Sequence, residues 1–271
     1  MGGDFQYLPE ANLNRWLDGA AAAGVQWLRF DLSWFDVQNL GPEEWNWARY
    51  DRVISGARAR GMKVLPTLGF TPPWARPAGT GNSHPPDDVG AFARFAGEAV
   101  RRYAPLGVAH WMVWNEPNIS LFWAPGPQPG SYAELLVATA REIRAADPAA
   151  RVVMGGLAPF GSPGDRSAIR MNPVTFLRGV YRAGGGPAFD AVATHPYSYP
   201  ARPSTQEAWN AWQQIANTAS SVRGVMIANG DADKLVWMSE FGAPTGGAAR
   251  ERVTRARQAA ILVEGYTLNK K

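Results

Sequence analysis

The chain has no cysteine, which excludes disulfide scaffolds, zinc–thiolate centres and cysteine nucleophiles at the outset. It has only three histidines, His84, His110 and His195, far apart in sequence. No HExxH pair occurs among them, so a metal mechanism is poorly supported. No run of 18 apolar residues occurs, so no membrane span is expected. Charged residues make up a modest 18%, and the net charge is +4. The basic residues are mostly arginines scattered along helical stretches. The sequence pI of about 9.5 therefore reads as solvated faces rather than a nucleic-acid surface. GxGxxG and GxxxxGK[ST] fingerprints are missing after the first strand-like run, which argues against dinucleotide and P-loop folds. GxSxG is missing too, so no serine triad is suggested. No signal peptide is visible at Met1-Gly2-Gly3. Localisation stays open, leaning to a secreted or extracytoplasmic site.

What is abundant is apolar and aromatic. Hydrophobic residues make up 46% of 271 positions, and twelve are tryptophan. That is enough to bury a large core in one domain spanning 1–271. Six nearly continuous apolar runs read as strands: 25–31 (VQWLRFD), 62–69 (MKVLPTLG), 109–114 (AHWMVW), 151–156 (RVVMGG), 189–195 (FDAVATH) and 234–240 (KLVWMSE). Such runs suit strands buried on both faces of a parallel sheet. Helical stretches fill the gaps. One spans 13–23 and ends at Gly24, and another spans 50–60 and ends at Gly61. Ser131 and Glu134 read as a capping box, and Asn172-Pro173 as a helix start.

Repeated β-α units allow an open doubly wound sheet or a closed barrel. The loops decide between them. Those leaving the strands are long and carry the tryptophans, prolines and polar groups, as in "FTPPWARPAGTGNSHPP" and "NEPNISLFWAPGPQPG". The turns entering the strands are short. That asymmetry is the mark of a (β/α)8 TIM barrel, whose active site is built at the carboxyl ends of its strands. The strand count is short of eight. "MGGDFQYL" reads as the stub of a first strand, and no eighth strand is identifiable after Glu240. The expected fold is thus an α/β barrel, incomplete at its closing seam. Exposed edges there would favour a homo-oligomer that covers them.

Two of the strand ends carry carboxylates, Glu116 in "WNEPN" and Glu240 in "SEFG". Facing carboxyl groups at a barrel mouth are what glycoside hydrolysis needs. One donates a proton to the leaving oxygen, and the other meets the developing oxocarbenium ion. With "RFDLSW", "PPWA", "NEPN", "THPY" and "WMSEFG", nearly the whole chain resembles the clan A glycoside hydrolases. It is most similar to family 39 and its relatives, with the cellulases of family 5 second.

That resemblance implies a retaining enzyme that needs no cofactor. It implies Glu116 as acid/base and Glu240 as nucleophile, and Asn115 bonded to a sugar 2-hydroxyl. Arg29 would hold the nucleophile ionised, and His195 and Tyr197 would contact the nucleophile and the sugar. Trp34, Trp74 and Trp123 would stack on sugar faces. The clan's eighth-strand tryptophan has no counterpart here. From the residues alone, Arg29 could instead pair with Asp31 or Asp51, and His195 could be a satisfied core histidine. Trp74 and Trp123 could equally pack loops. Trp27, Trp111, Trp114 and Trp237 read as core.

Two function classes follow. One is a retaining glycosidase acting on oligo- or polysaccharides. The other is a catalytically impaired or truncated barrel that binds carbohydrate without turnover. Sugar, linkage and endo or exo action stay open.

Overall fold

The computed structural model describes residues 4–216, 218–248 and 252–268. Strands and helices alternate along it. The order is α1 (Glu10–Ala22), β1 (Trp27–Ser33), α2 (Trp34–Val37), α3 (Ala48–Ala59), β2 (Lys63–Gly69), α4 (Val89–Tyr103) and β3 (His110–Asn115). There follow α5 (Pro129–Ala146), β4 (Arg151–Leu157), α6 (Pro173–Arg182), β5 (Ala191–Thr194), α7 (Ala211–Ile215), α8 (Val222–Ala228), β6 (Leu235–Met238) and α9 (Arg255–Leu268). All six strands pair in parallel in chain order, β1 to β6. Every carboxyl end therefore points to the same rim.

Two apolar layers hold the sheet. The larger lies between strands and helices. It includes Phe30, Trp111, Val113, Val152 and Val192 on the strands, packed against Phe92, Phe95, Leu136 and Phe176. The smaller lines the inside, with Leu65, Met112, Val153, Ala191 and Ala193. Side chains of both layers come from the same strands at alternating positions, which is why these strands are apolar along their length. Of the tryptophans read as core, Trp111 and Trp114 are fully buried. Trp27 and Trp237 are only partly buried and meet edge to face, with ring centroids 5.0 Å apart.

The helix ends follow local chemistry. Gly24 and Gly61 take left-handed φ of 77° and 75° just past α1 and α3, where glycine costs least. Asn172 accepts from the Val174 N–H at 2.9 Å and Pro173 opens α6, as expected. The capping box at Ser131 is not formed. The helix α5 starts earlier, because Pro129 occupies its first position after Gln128. Ser131 lies inside the first turn and its hydroxyl bonds Gln128 Oε1 at 3.3 Å instead.

Among the described residues the sheet does not close. The segment expected as a first-strand stub is a 3-10 turn, Asp4–Tyr7, whose Phe5 stacks on Trp16 of α1. Phe5 is buried in the outer layer, so the segment caps the helical layer rather than the sheet. The C-terminal stretch through Leu268 is helical, and residues 269–271 lie outside the described residues. Among the described residues, β1 and β6 each have a strand neighbour on one side only. Between them opens a cavity of about 1080 Å³, lined by Trp16, Trp27, Leu65, Trp237, Phe241 and Tyr266. It reaches Arg29 and Glu240 at the rim. No described helix is long and apolar enough to cross a membrane.

Candidate active site

Glu116 stands where β3 stops. The strand ends by leaving the pleat. Trp114 has φ 70° and Glu116 has φ 41°, left-handed values for two residues that carry large side chains. Such backbone costs about 1–3 kcal/mol per residue and persists only where the surroundings fix it. Trp114 is buried and its indole N–H donates to the Phe122 carbonyl. The Glu116 N–H donates to the Gly156 carbonyl at 2.9 Å, extending the β3–β4 pairing by one residue.

Two residues beyond, fully buried Asn118 fastens the turn. Its amide donates to the carbonyls of Ala158 (2.8 Å) and Met171 (2.9 Å), and its Oδ1 accepts from Ala158 N–H at 2.9 Å. A carboxylate is thus delivered at a strand end whose strained backbone is pinned on both sides.

The other expected residues converge on this point. Arg29, in the middle of β1, donates from Nη1 to Glu240 Oε1 and from Nη2 to Asn115 Oδ1 at 2.6 Å. Of its two alternative partners, Asp31 is also near, at 3.7 Å. Asp51 is not, since it holds Arg102 and Tyr103 on the outside of the barrel. Glu240 follows β6 and accepts the Tyr197 hydroxyl at 2.7 Å. His195, just past β5, is buried, so it is both a core histidine and a site residue. Its Nδ1 lies 2.7 Å from Glu116 Oε1 and its Nε2 lies 3.6 Å from Glu240 Oε1. The imidazole therefore bridges the two carboxylates, where the expectation gave it the nucleophile and sugar alone. One ligand atom each of Glu116, His195 and Glu240 falls within 4.8 Å of the others.

The surroundings of Glu240 favour its ionised form. Burial alone would push the Glu240 carboxyl up. Charge and hydrogen bonds from His195, Arg29 and Tyr197 outweigh it and hold the carboxyl below its ordinary value. Burial first, then the charge of Glu240, pushes the Tyr197 hydroxyl well up, so it stays a donor. For Glu240 the folded-state value is the depressed one. The stability this group contributes is present above its unfolded value and is lost as pH falls through the folded one. Arg29→Met should raise the Glu240 titration, read by ¹³C NMR of its carboxyl carbon. An unmoved titration would show that the guanidinium does not hold it.

The aromatic platforms divide. Trp74 is 37% exposed at the rim, its indole N–H donating to the Gln38 carbonyl at 2.6 Å. Trp34 and Trp123 offer no free face. Trp34 is fully buried among Trp74, Phe92 and Phe95, with its N–H on Gln38 Oε1. Trp123 is 1% exposed, wedged between Trp114 and Tyr132. Both were expected to stack on sugar. Each instead packs a rim loop onto the helical layer, because these loops fold back over the strand ends.

Two residues were missed. Asn118 is one, hidden in the same NEPN motif as the carboxylate. Gly156 is the other. The His195 ring lies against it, so that a Cβ added there would stand 2.7 Å from Cδ2, 2.8 Å from Cε1 and closer still to Nε2. Paired glycines inside the apolar run "RVVMGGL" were the available signal, since glycine in a strand marks a close approach.

No protein-family model matches the chain, and no curated protein matches it by sequence. Solved structures do match in shape. A family 39 glycoside hydrolase from the gut symbiont Bacteroides cellulosilyticus WH2 is 24% identical with a TM-score of 0.68, covering 94% of this chain and 50% of that one. A family 39 β-xylosidase from Caulobacter crescentus is 24% identical with a TM-score of 0.61, covering 89% and 51%. An exo-β-1,4-mannosidase from Opitutaceae bacterium strain TAV5 is 21% identical with a TM-score of 0.60, covering 97% and 47%. The chain has the barrel fold of these glycosidases. It spans about half the length of each of them.

Proposed function

We propose that the chain is a retaining glycoside hydrolase of the β-glycosidase or endoglycanase type, with Glu240 as nucleophile and Glu116 as acid/base. The observation that carries this reading is the spacing of the two carboxylates. Oxygens of Glu116 and Glu240 lie within 4.8 Å of one another. Retaining enzymes keep their carboxyl groups about 5–5.5 Å apart, whereas inverting ones leave about 6.5–9.5 Å for a water. The charge environment agrees. A nucleophile must be ionised, and Arg29 and Tyr197 both donate to Glu240.

The steps follow from those contacts. Glu240 attacks the anomeric carbon while Glu116 gives its proton to the departing oxygen, forming a glycosyl-enzyme. Glu116 then takes a proton from water, which displaces Glu240. Asn115 has its Oδ1 on Arg29, which leaves its amide group as a donor for a sugar hydroxyl. Trp74 is the rim platform for a sugar face.

The test uses a panel of aryl β-glycosides (glucoside, xyloside, galactoside, mannoside and cellobioside). The first-formed product of any substrate turned over should keep the β-anomer by ¹H NMR. A 2-deoxy-2-fluoro analogue should leave its sugar on the peptide holding Glu240. An α-anomer as first product would overturn the nucleophile assignment. A second reading, carbohydrate binding without turnover, is favoured by the open seam between β1 and β6, which reaches Glu240 itself. A folded chain that binds oligosaccharide and hydrolyses none of the panel would select it.

A further inference from the structure

The histidine between the two carboxylates has one nitrogen without a hydrogen-bond partner. His195 has no exposed side-chain surface. Its Nδ1 sits on Glu116, while Nε2 is buried and makes no hydrogen bond. If Nδ1 carries the proton given to the Glu116 carboxylate, the Nε2 lone pair is left 3.6 Å from Glu240 Oε1. That oxygen accepts from Arg29 Nη1, and its second lone pair leaves room for a cation shared with Nε2.

The spacing suits one kind of cation. Zinc binds imidazole nitrogen and carboxylate oxygen at about 2.0–2.2 Å, so two neighbouring ligands of a tetrahedral ion stand about 3.4 Å apart. A carboxylate accepting the other ring N–H is the arrangement that orients a zinc-binding histidine and raises its basicity. Glu116 already occupies that place. The large opening between β1 and β6 reaches Glu240 and supplies an entry path. Imidazole with carboxylate favours zinc and its neighbours over magnesium or calcium, which take oxygen ligands.

We propose that His195 Nε2 and Glu240, with Glu116 behind the imidazole, bind a borderline divalent ion of the zinc type that blocks the carboxylate pair when it is bound. The site is inhibitory. An ion there occupies the oxygen that would attack a sugar and ties the acid/base to the ring behind it.

Calorimetric titration of the untagged chain with zinc chloride tests this, with the visible spectrum of bound cobalt(II) as a second readout. One saturable site is expected, unaffected by excess magnesium. His195→Gln and the near-isosteric Glu240→Gln should each weaken binding at least about 10-fold. Glu116→Gln should weaken it by about 10–100-fold, the range for losing such a supporting carboxylate. His84→Gln should bind as the parent does. An absence of saturable binding overturns the proposal, as does unchanged binding in folded His195→Gln or Glu240→Gln. Binding is read without turnover. A chain that binds zinc but hydrolyses nothing removes the glycosidase reading alone, and an active chain that ignores zinc removes this one alone.

Discussion

Replacing Glu240 with Gln is expected to remove turnover on every aryl β-glycoside the parent hydrolyses, whatever the leaving group. Replacing Glu116 with Gln should have an effect that depends on the leaving group. The asymmetry comes from what each carboxylate must do. In the proposed mechanism Glu240 forms the bond to carbon, and an amide neither attacks nor stabilises the oxocarbenium charge. Losses on removing a nucleophile are on the order of 10⁴–10⁶-fold.

As the proposed acid, Glu116 supplies a proton, a contribution of about 10²–10⁴-fold, and a dinitrophenolate leaves without needing one. In Glu116→Gln the first step should therefore survive with that substrate, and the glycosyl-enzyme should accumulate as a burst. An added small anion such as azide should release it, giving a β-glycosyl azide. Gln is the right replacement at both positions. At 240 it keeps one oxygen for the Arg29 donor, and its NH2 can donate to the Tyr197 oxygen, so the guanidinium, only 9% exposed, is not left without an acceptor. Equal losses on activated and unactivated substrates in Glu116→Gln would assign the proton to another group. Residual turnover in Glu240→Gln within a few-fold of the parent would end the nucleophile assignment.

Much of this site could be read from the sequence because its parts are set by strand position. A parallel barrel delivers each strand end to one rim. The residue types at 29, 115–116, 195–197 and 240 could thus be placed near one another before any coordinates. The six strands were legible for a related reason. β2 to β5 are buried on both faces and so are nearly continuous in apolar residues, whereas β1 alternates and β6 is only partly buried.

What escaped was set by contacts between segments. Nothing local in "SWFDV" says that Trp34 turns inward onto Phe92 and Phe95 while Trp74 stays at the surface. That choice belongs to how two loops and α4 pack. The start of α5 was misplaced because a serine–glutamate spacing is a weaker signal than a proline two residues earlier. The apolar and aromatic residues of "DFQYL" suit a short strand or a turn, and stacking of Phe5 on Trp16 favoured the turn. Burial of Asn118 is invisible in sequence, since asparagine is ordinarily exposed. Only its three bonds to Ala158 and Met171 show why it is buried.

Gly156→Ala tests how much of the chemistry rests on one missing methyl. The substitution adds no charge and removes no hydrogen bond, and Gly156 is not among the glycines with positive φ. A backbone penalty therefore does not enter. What enters is volume. The new Cβ would collide with the imidazole of His195. The ring has no exposed surface into which to move, so it must tilt or the β4 and β5 ends must part. Overpacking of this kind costs about 1–3 kcal/mol of stability.

The larger effect should fall on activity. The ring bonds Glu116 at 2.7 Å and faces Glu240 at 3.6 Å, so a displacement of about 1 Å misplaces both carboxylates, and such errors cost about 10²-fold. The double variant Gly156→Ala with His195→Ala separates the two consequences. Removing the ring makes room for the methyl, so the stability losses should not add. Activity should stay low, because the bridge itself is gone. Urea denaturation and kcat/KM of the two single variants and the double variant form the cycle. Wild-type activity in Gly156→Ala, or fully additive stability losses, would show that the ring does not depend on the bare α-carbon beneath it.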